Sequence, residues 1–360
     1  MKICLFGQFP PHIGGVSSHL FLLSQELLDR GDEVWVLTYP HPQMRDFNGI
    51  QVQSAWAPPV KGLRGLFFSV SSFFKLIRVV RNQKLDLIHA HYILPPGLIA
   101  VLVGSLMGIR TAVTVHGSDL FILAQKPLLK QITRWVLKKA DYVMVVSEAL
   151  DRKVQELGIS PQKVKLTPNA VDVERFSPDN QLPPDVQLDS QKTTLLFVGN
   201  LVPQKGVKYL LEAKKILDNT LEPTGADSDF ELIIVGDGPL RKDLERQVRD
   251  YDIKSVVFLG ERRDVELIMP STDLFILPSI SEGFPITILE SLASGIPVVA
   301  TRVGGVEEIE SGSVMMVVEP GQPEALAQAI KQMEEHGLTE EVRKKARETA
   351  RKYAHIKIPY

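Results

Sequence analysis

The sequence predicts an α/β protein built from two doubly wound domains in tandem. Three observations lead there. Short apolar runs alternate with amphipathic helical stretches along nearly the whole chain, the pattern of parallel strands covered by helices on both faces. A polar, proline-rich stretch interrupts the alternation near the middle, and the pattern then starts again. The 360 residues are 44% apolar and 23% charged, enough for two cores in an ordinary soluble composition. Lys plus Arg number 41 and Asp plus Glu 43, a net charge of −2. That balance argues against a general nucleic-acid binder, whose footprint is a basic excess. The single cysteine, Cys4, lies in the first apolar run. It leaves no disulfide framework or cysteine zinc site within one chain, and a reducing compartment fits.

In the first domain, 1–167, residues 3–6 read as a buried strand. The loop 8–15 ends in Gly14-Gly15, where a helix over 16–30 begins. Leu20, Leu23, Leu27 and Leu28 mark the apolar side of that helix, and Gly31 stops it. Residues 34–38 form the second strand, completing a βαβ unit. Residues 50–56 read as another strand before Pro58 and Pro59 break the chain. A helix over 66–82 carries Phe67, Val70, Phe74, Ile77 and Arg78 on one broad side. Lys61, Arg64, Lys75, Arg78, Arg81 and Lys84 dot it, and Phe68 and Phe73 add to its aromatic content. Either this helix lies on an anionic membrane surface, or it covers the sheet and keeps a solvated basic side; the second is expected, because a helix joining two strands must cover the sheet. A strand over 85–90 ends in His89 and His91. Then come a helix over 96–107, a strand over 112–115, its exit loop His116-Gly117-Ser118-Asp119, a helix over 128–139 and a strand over 142–146. Ser147 caps a helix reaching 157, and 164–166 is a last short strand.

The stretch 168–191, with Pro178, Pro183 and Pro184, reads as a linker. The second domain, 192–340, begins with a strand over 194–199. Asn200 to Gly206 follow, then a helix to 219 and a polar loop over 219–229. A strand over 232–235 leads through Gly236-Asp237-Gly238-Pro239 into a helix ending near 251. A strand over 256–260, a helical turn over 265–269 and a strand over 273–278 come next. Residues 279–283 are turn chemistry, and Pro285 suits the first position of the next helix. Ile286, Leu289, Leu292 and Ala293 form the apolar stripe of that helix, with Glu290 at its shoulder. Strands over 297–300 and 314–318 and helices over 323–336 and 340–353 complete the pattern; the segment 341–360 reads as a shortened C-terminal helix. The longest apolar candidate for a membrane span, 93–107, contains Pro95 and Pro96 and falls short of the roughly 20 residues required. With no signal-like N-terminal run either, a cytoplasmic protein is expected, with peripheral membrane contact as an alternative setting.

In a doubly wound sheet, ligands sit beyond the C-terminal ends of the strands. The loops holding Gly14-Gly15, His116, Asn200 to Lys205, Gly236 to Pro239 and Glu282 all leave strands at that end, and two such rims face to face would form a cleft suited to small molecules. Gly14-Gly15 lets a backbone approach a phosphate, or is an ordinary turn. It is no G-x-G-x-x-G fingerprint, which counts against a dinucleotide dehydrogenase. Lys205, at a helix start, suits a diphosphate or is simply solvated. Gly236 lines a ligand or makes a structural turn. His116 could hydrogen-bond a substrate hydroxyl or phosphate, and Asp119 could cap a helix. Glu290 must find donors or lose solvation, and a ribose diol is one donor pair. The unpaired N–H groups at the helix start can hold a phosphate, with Glu282 just before them. As an isolated pair, Glu282 and Glu290 read more plainly as a surface residue and a helix-edge salt bridge; the shared rim is what favours a ligand. His89 and His91 are read as facing opposite ways, so no metal set is expected.

These pieces together resemble the retaining nucleotide-sugar glycosyltransferases of family 4, with the GT-B fold, over about residues 1 to 350. Glu282 and Glu290 look like the family's two glutamates eight positions apart. Gly14-Gly15 resembles its N-terminal glycine pair, and His116-Gly117-Ser118-Asp119 the loop of its donor-side histidine. Lys205-Gly206 is similar to its lysine-glycine, Pro168-Asn169-Ala170-Val171-Asp172 to its interdomain motif, and Gly236 to Pro239 to a recurrent turn. The resemblance implies that Glu290 binds the ribose hydroxyls, Glu282 contacts the donor sugar, Lys205 stabilises the diphosphate and His116 hydrogen-bonds the sugar. Backbone groups from Phe284, Pro285, Ile286 and Thr287 would touch phosphate or sugar. It implies transfer from a UDP-, GDP- or ADP-sugar to a saccharide or lipid-linked acceptor hydroxyl with retention, without a cofactor or bound metal and without nucleic acid. Two departures stand out: Asn200 replaces the family's usual arginine, with Arg262 or Arg263 as candidate substitutes, and the crossover of the C-terminal helix to the first domain looks shortened or lost. The competing readings are a non-catalytic sugar-nucleotide-binding subunit and another GT-B enzyme such as a phosphorylase, epimerase or hydrolase.

Overall fold

Aliphatic runs too short for helices become parallel strands in both halves of the chain. The structure, a computed structural model, describes all residues except 48, 59–62, 124–125, 220–228 and 310–311, and not the side chains of 118, 122, 123, 336 and 337. Lys61 and most of the expected loop over 219–229 lie outside the described residues. The chain divides into two compact units, Met1–Asn169 together with His355–Tyr360, and Ala170–Ala354.

Unit 1 runs β1 (Lys2–Phe6), α1 (Gly15–Asp29), β2 (Glu33–Thr38), β3 (Gln51–Ser54), α2 (Arg64–Gln83), β4 (Leu87–His91), α3 (Leu98–Met107), β5 (Arg110–Val115), α4 (Ser118–Leu123), α5 (Pro127–Lys139), β6 (Tyr142–Val145), α6 (Glu148–Glu156) and β7 (Val164–Leu166). Its seven strands are ordered β3-β2-β1-β4-β5-β6-β7. Every pairing is parallel, and Phe6 lies in register with both Leu37 and Ala90. The chain switches direction across the sheet between β1 and β4, the position where doubly wound sheets open a ligand crevice. Ser147 caps α6 as expected, its hydroxyl accepting the Leu150 N–H at 3.3 Å. The short helix α4 was not expected.

The reading of α2 needs correction. The helix does cover the sheet, but with Phe68, Leu76, Val79 and Val80, which are buried, while Phe67, Val70 and Phe74 are exposed. Its outer side therefore exposes Leu66, Phe67, Val70 and Phe74, with Arg64 before them and Arg78 and Arg81 beyond. The segment that looked like a lost crossover also returns to unit 1. There the Tyr360 hydroxyl meets His89 Nδ1 at 2.9 Å, and Arg30 Nη1 donates to the Tyr360 carbonyl at 2.9 Å.

Unit 2 runs β8 (Thr193–Val198), α7 (Val207–Asn219), β9 (Phe230–Val235), α8 (Arg241–Asp250), β10 (Val256–Gly260), α9 (Val265–Ile268), β11 (Leu274–Leu277), α10 (Ile286–Ala293), β12 (Val298–Thr301), β13 (Met315–Val318), α11 (Pro323–Gly337) and α12 (Glu340–Arg351). Its strands are ordered β10-β9-β8-β11-β12-β13, again all parallel, with the switch point between β8 and β11. Leu195, Phe197, Leu232, Ile234, Leu274 and Ile276 face α7 and α11 in one core.

Three glycines let the loops at the C-terminal ends of these strands pack backbone to backbone. A Cβ on Gly236 would stand 2.0 Å from the Gly199 carbonyl oxygen, one on Gly206 2.0 Å from that of Pro278, and one on Gly304 2.1 Å from that of Glu282. All three also have positive φ, which disfavours any side chain. Gly206→Ala is therefore expected to cost roughly 2–4 kcal/mol in urea unfolding. Gly65→Ala, in the first turn of α2 with nothing within 4 Å of its added Cβ, is expected to gain up to about 1 kcal/mol.

Candidate functional site

In unit 2 the loops after β8 and β11 meet beside the switch point, and a buried hydrogen-bond network ties them. Lys205, from the first loop, places Nζ 2.6 Å from Glu282 Oε1. The hydroxyl of buried Ser279 donates to the same oxygen at 2.6 Å. Only 24% of the Lys205 side chain and 11% of that of Glu282 remain exposed, so the pair is shielded from water but open at one side. Three residues after Glu282 the chain enters α10. Pro285 is the capping residue and Ile286 the first helical one, a shift of one position from the sequence reading. No side chain caps this helix; the Ile288 N–H turns back to the Pro285 carbonyl at 3.3 Å, and the first-turn N–H groups before it have no intrahelical partner. The helix start therefore offers hydrogen-bond donors and partial positive charge close to the Lys205 cation. Phe284 is buried beneath it against Tyr353, ring centroids 5.9 Å apart.

One turn into α10, Glu290 has a different environment. Loss of hydration pushes its pKa up to about 7. Arg175 opposes this rise and the negative charge of Glu266 adds to it. Arg175 Nη2 is itself paired with Glu266 Oε2 at 2.9 Å, and Asn180 Nδ2 donates to the Arg175 and Glu266 carbonyls. Glu290 thus stands in a poorly hydrated position beside a guanidinium already shared with another carboxylate, and holds its proton to near neutrality.

Other expected ligand groups have local partners. The Gly236 N–H donates to the Gly260 carbonyl at 2.7 Å, so the close approach to Gly199 accounts for this glycine. Asn200 is exposed on the loop leading to Lys205. Arg262 closes on both oxygens of Asp264, at 2.7 and 2.9 Å, and also pairs with Asp185. This commits it to carboxylates and makes it a poor substitute for the cation missing at Asn200. Arg263 is exposed.

In unit 1, Gly14 has φ +136 and its Cα faces open space, directly before the first residue of α1, Gly15. The loop after β5 is held by Asp119, whose Oδ1 accepts the N–H groups of His116, Gly117 and Leu120 at 2.9–3.2 Å while Oδ2 accepts that of Ile93. Asp119 therefore pins the backbone that presents His116. Burial raises its pKa to about 6 against those four bonds. The expectation that His89 and His91 face opposite ways is overturned: residues two apart on a strand share a face, and their rings lie 4.3 Å apart. His91 Nδ1 is 3.1 Å from His116 Nε2. His19, one turn into α1, brings a third ring within 5.3 Å of His91 and 5.1 Å of His116. One ligand nitrogen from each of these three lies within 4.8 Å of the others, a donor set able to take a divalent transition ion, where no set was expected. Burial, reinforced by the neighbouring rings, pushes the pKa of His89 down to about 3 and those of His91 and His116 well below the ordinary value; burial takes His19 to about 4.

Two family models divide the chain almost as its two units do. The one described as Glycosyltransferase Family 4 matches residues 13–175, and the one described as Glycosyl transferases group 1 matches residues 179–353. An Escherichia coli enzyme, UDP-Gal:alpha-D-GlcNAc-diphosphoundecaprenol alpha-1,3-galactosyltransferase, is 30% identical over 73% of this chain and 69% of its own. The chain belongs to glycosyltransferase family 4. The N-acetyl-alpha-D-glucosaminyl L-malate synthase of Bacillus anthracis is 28% identical over 94% of this glycosyltransferase and 90% of its own length. Sucrose-phosphate synthase from Thermosynechococcus elongatus shares the fold with a TM-score of 0.80 at 20% identity, covering 98% of this chain and 95% of its own. Anabaena HepE, solved with UDP and glucose, does so with a TM-score of 0.78, also at 20% identity, over 99% and 96%. The fold of the glycosyltransferase is GT-B. Among its described residues no helix is long and apolar enough to cross a membrane.

The sequence reading missed Ser279, His19, and the Arg175–Glu266 pair beside Glu290. Ser279 stands three residues before Glu282, within reach of a spacing argument, whereas His19 meets His91 and His116 only in the fold. Nothing local links Arg175 to Glu266. Buried His19, His89 and His91, with half-buried His116, have a measurable consequence. Their folded pKa values lie below the unfolded value near 6.5, so the unfolded chain binds more protons in acid, and their contribution to stability is lost as pH falls below about 6.5. Asp119 and Glu290 act with the opposite sign. Between pH 7 and pH 5 the His89→Asn/His91→Asn variant is therefore expected to lose less Tm than the parent chain, as read by differential scanning calorimetry.

Proposed function

We propose that this glycosyltransferase moves a sugar from a nucleoside-diphosphate donor to an acceptor hydroxyl with retention of anomeric configuration, in the synthesis of a cell-surface polysaccharide or glycolipid. The observation that carries this reading is the Lys205–Glu282–Ser279 network at the uncapped start of α10, with the poorly hydrated Glu290 one turn further on. Bond cleavage leaves negative charge on the departing diphosphate. A cation and a helix N-terminus fixed in advance stabilise that charge without reorganising when it forms. Lys205 supplies the cation and α10 the N–H groups. Glu282, held by Ser279 and Lys205, has its carboxylate oriented toward the sugar. Glu290 accepts hydrogen bonds from the ribose diol, which offers the donors its position lacks. His116, pinned through Asp119, hydrogen-bonds the sugar, and Gly14-Gly15 opens the backbone for it. The donor is a UDP-, GDP- or ADP-sugar. A lipid-linked acceptor gains support from the Escherichia coli relative, whose name carries a diphosphoundecaprenol acceptor.

Release of nucleoside diphosphate from a donor panel, followed with and without acceptor, tests the reaction. If no donor is turned over while one still raises the Tm, the non-catalytic binding subunit gains; if none does either, the donor reading is wrong. A product of inverted configuration by NMR would exclude retention. Lys205→Ala is expected to lower kcat/KM about 10²-fold with the Tm nearly unchanged. Because Lys205 and α10 handle the charge in this reading, turnover is expected to survive EDTA; loss of turnover would direct attention to His19, His91 and His116. Donor affinity is expected to rise from pH 6 to pH 8 as Glu290 passes its raised pKa of about 7 and ionises, since the carboxylate accepts from both ribose hydroxyls. Titration calorimetry should show this rise flattened in Glu290→Gln.

A further inference from the structure

One face of unit 1 combines exposed apolar side chains with a one-signed charge field. Residues 47–140 carry twelve lysines and arginines against two acids, Asp86 and Asp119, whereas the rest of the chain carries twenty-nine against forty-one. Asp119 is buried and satisfied by backbone N–H groups. The near-neutral total therefore conceals a strongly basic segment. Three helices of this segment, α2, α3 and α5, follow one another in contact across the sheet. Each buries one side, through Leu76 and Val80 in α2, Ile99 and Val103 in α3, and Val136 and Leu137 in α5. What they leave outward mixes large apolar side chains with cations, Arg64, Arg78 and Arg81 on α2 and Lys130, Arg134, Lys138 and Lys139 on α5. Leu66 is 61% exposed, Val70 51%, Phe74 65% and Leu106 65%, with Phe67 and Trp135 exposed beside them. On α2 the spacing 63, 66, 67, 70 and 74 is a second helical stripe on the side opposite the buried one, and Arg78 and Arg81 continue it as exposed cations.

Burial in the sheet does not explain this stripe, because other residues of α2 do that. Charge decides among possible occupants. A second copy of this face would bring the same basic field against itself. An anionic lipid surface complements it, taking apolar side chains into the headgroup and acyl boundary while arginines remain at the phosphate level. We propose that the outer faces of α2, α3 and α5 form a docking surface for an anionic bilayer, holding unit 1 against the membrane without spanning it. This deepens the lipid-linked acceptor reading, yet it stands on unit 1 alone and does not depend on the donor.

The test is flotation of the full chain with phosphatidylcholine vesicles, plain or containing about a third phosphatidylglycerol. The parent chain is expected to float with the anionic vesicles only and to be released as salt rises. Leu66→Ser/Phe74→Ser and Arg78→Glu/Arg81→Glu are each expected to weaken binding at least tenfold, with far-UV circular dichroism, Tm and turnover of a soluble acceptor unchanged. The proposal is overturned if the parent chain stays in the aqueous phase, if either variant binds as well as the parent, or if plain vesicles bind equally. It is also overturned if sedimentation shows a dimer that Leu66→Ser/Phe74→Ser dissociates, which would make the face a protein interface. Donor turnover is measured separately on the same samples, so a failure of docking and a failure of the glycosyltransferase reading give different results.

Discussion

Both sheets are entirely parallel, and much of the rest of the structure depends on that constraint. A parallel strand can only be followed by a crossover that returns to the same end, so every strand delivers its exit loop to one rim. Within each unit the loops need no special device to converge. What needs a device is their close approach, because the backbones after β8, β9, β11 and β12 crowd around the β8–β11 switch point. Gly206, Gly236 and Gly304 resolve the crowding, since at these positions any Cβ would fall within about 2 Å of a carbonyl oxygen. Lys205 is carried on the residue before one of them, and Glu282 lies against another. The packing that closes the rim thus also sets the ion pair.

The sequence was most legible where a function depends on consecutive residues. The strand, turn and helix around Glu282 and Glu290 could be read from an apolar run, a turn cluster and a proline, and the structure shifts only the helix start, from Pro285 to Ile286. Strand and helix order was legible for a similar reason, as periodicity is local. It failed where partners are remote in the chain. Arg175 reaches Glu266, and His19 reaches His91 and His116, through the sheet topology, which no spacing rule encodes. The strand histidines were a different kind of failure. The two-residue period was available, and applying it correctly would have put His89 and His91 on one face. At Gly236, read from sequence as either lining a ligand or making a turn, the Gly199 carbonyl by itself requires a glycine.

The helix α2 shows why an amphipathic pattern can be ambiguous from sequence. Phe67, Phe68, Phe73 and Phe74 supply more apolar surface than one helix face can bury. Sequence can count them, but it cannot decide which will face the sheet. In the fold Phe68 goes in and Phe67 and Phe74 remain out. The sequence did show that no acid lies between Asp46 and Asp86, and this charge pattern carries information that overall composition hides.

The two glutamates of α10 and its preceding loop show how environment separates chemically identical groups. Glu282 sits between a lysine cation and a hydroxyl donor, which fix where its carboxylate points. Glu290, eight residues later, is poorly hydrated and shares its arginine with Glu266, which favours its neutral form near pH 7. A doubly hydrogen-bonded carboxylate beside a helix N-terminus is suited to orienting a polar substrate, because its own position is already fixed. A carboxyl group left short of hydration is suited to binding, because an incoming pair of hydroxyls supplies the donors it lost on burial. The division of labour between the two therefore follows from the side chains around them, and neither has to act as a general acid or base for the arrangement to lower a barrier.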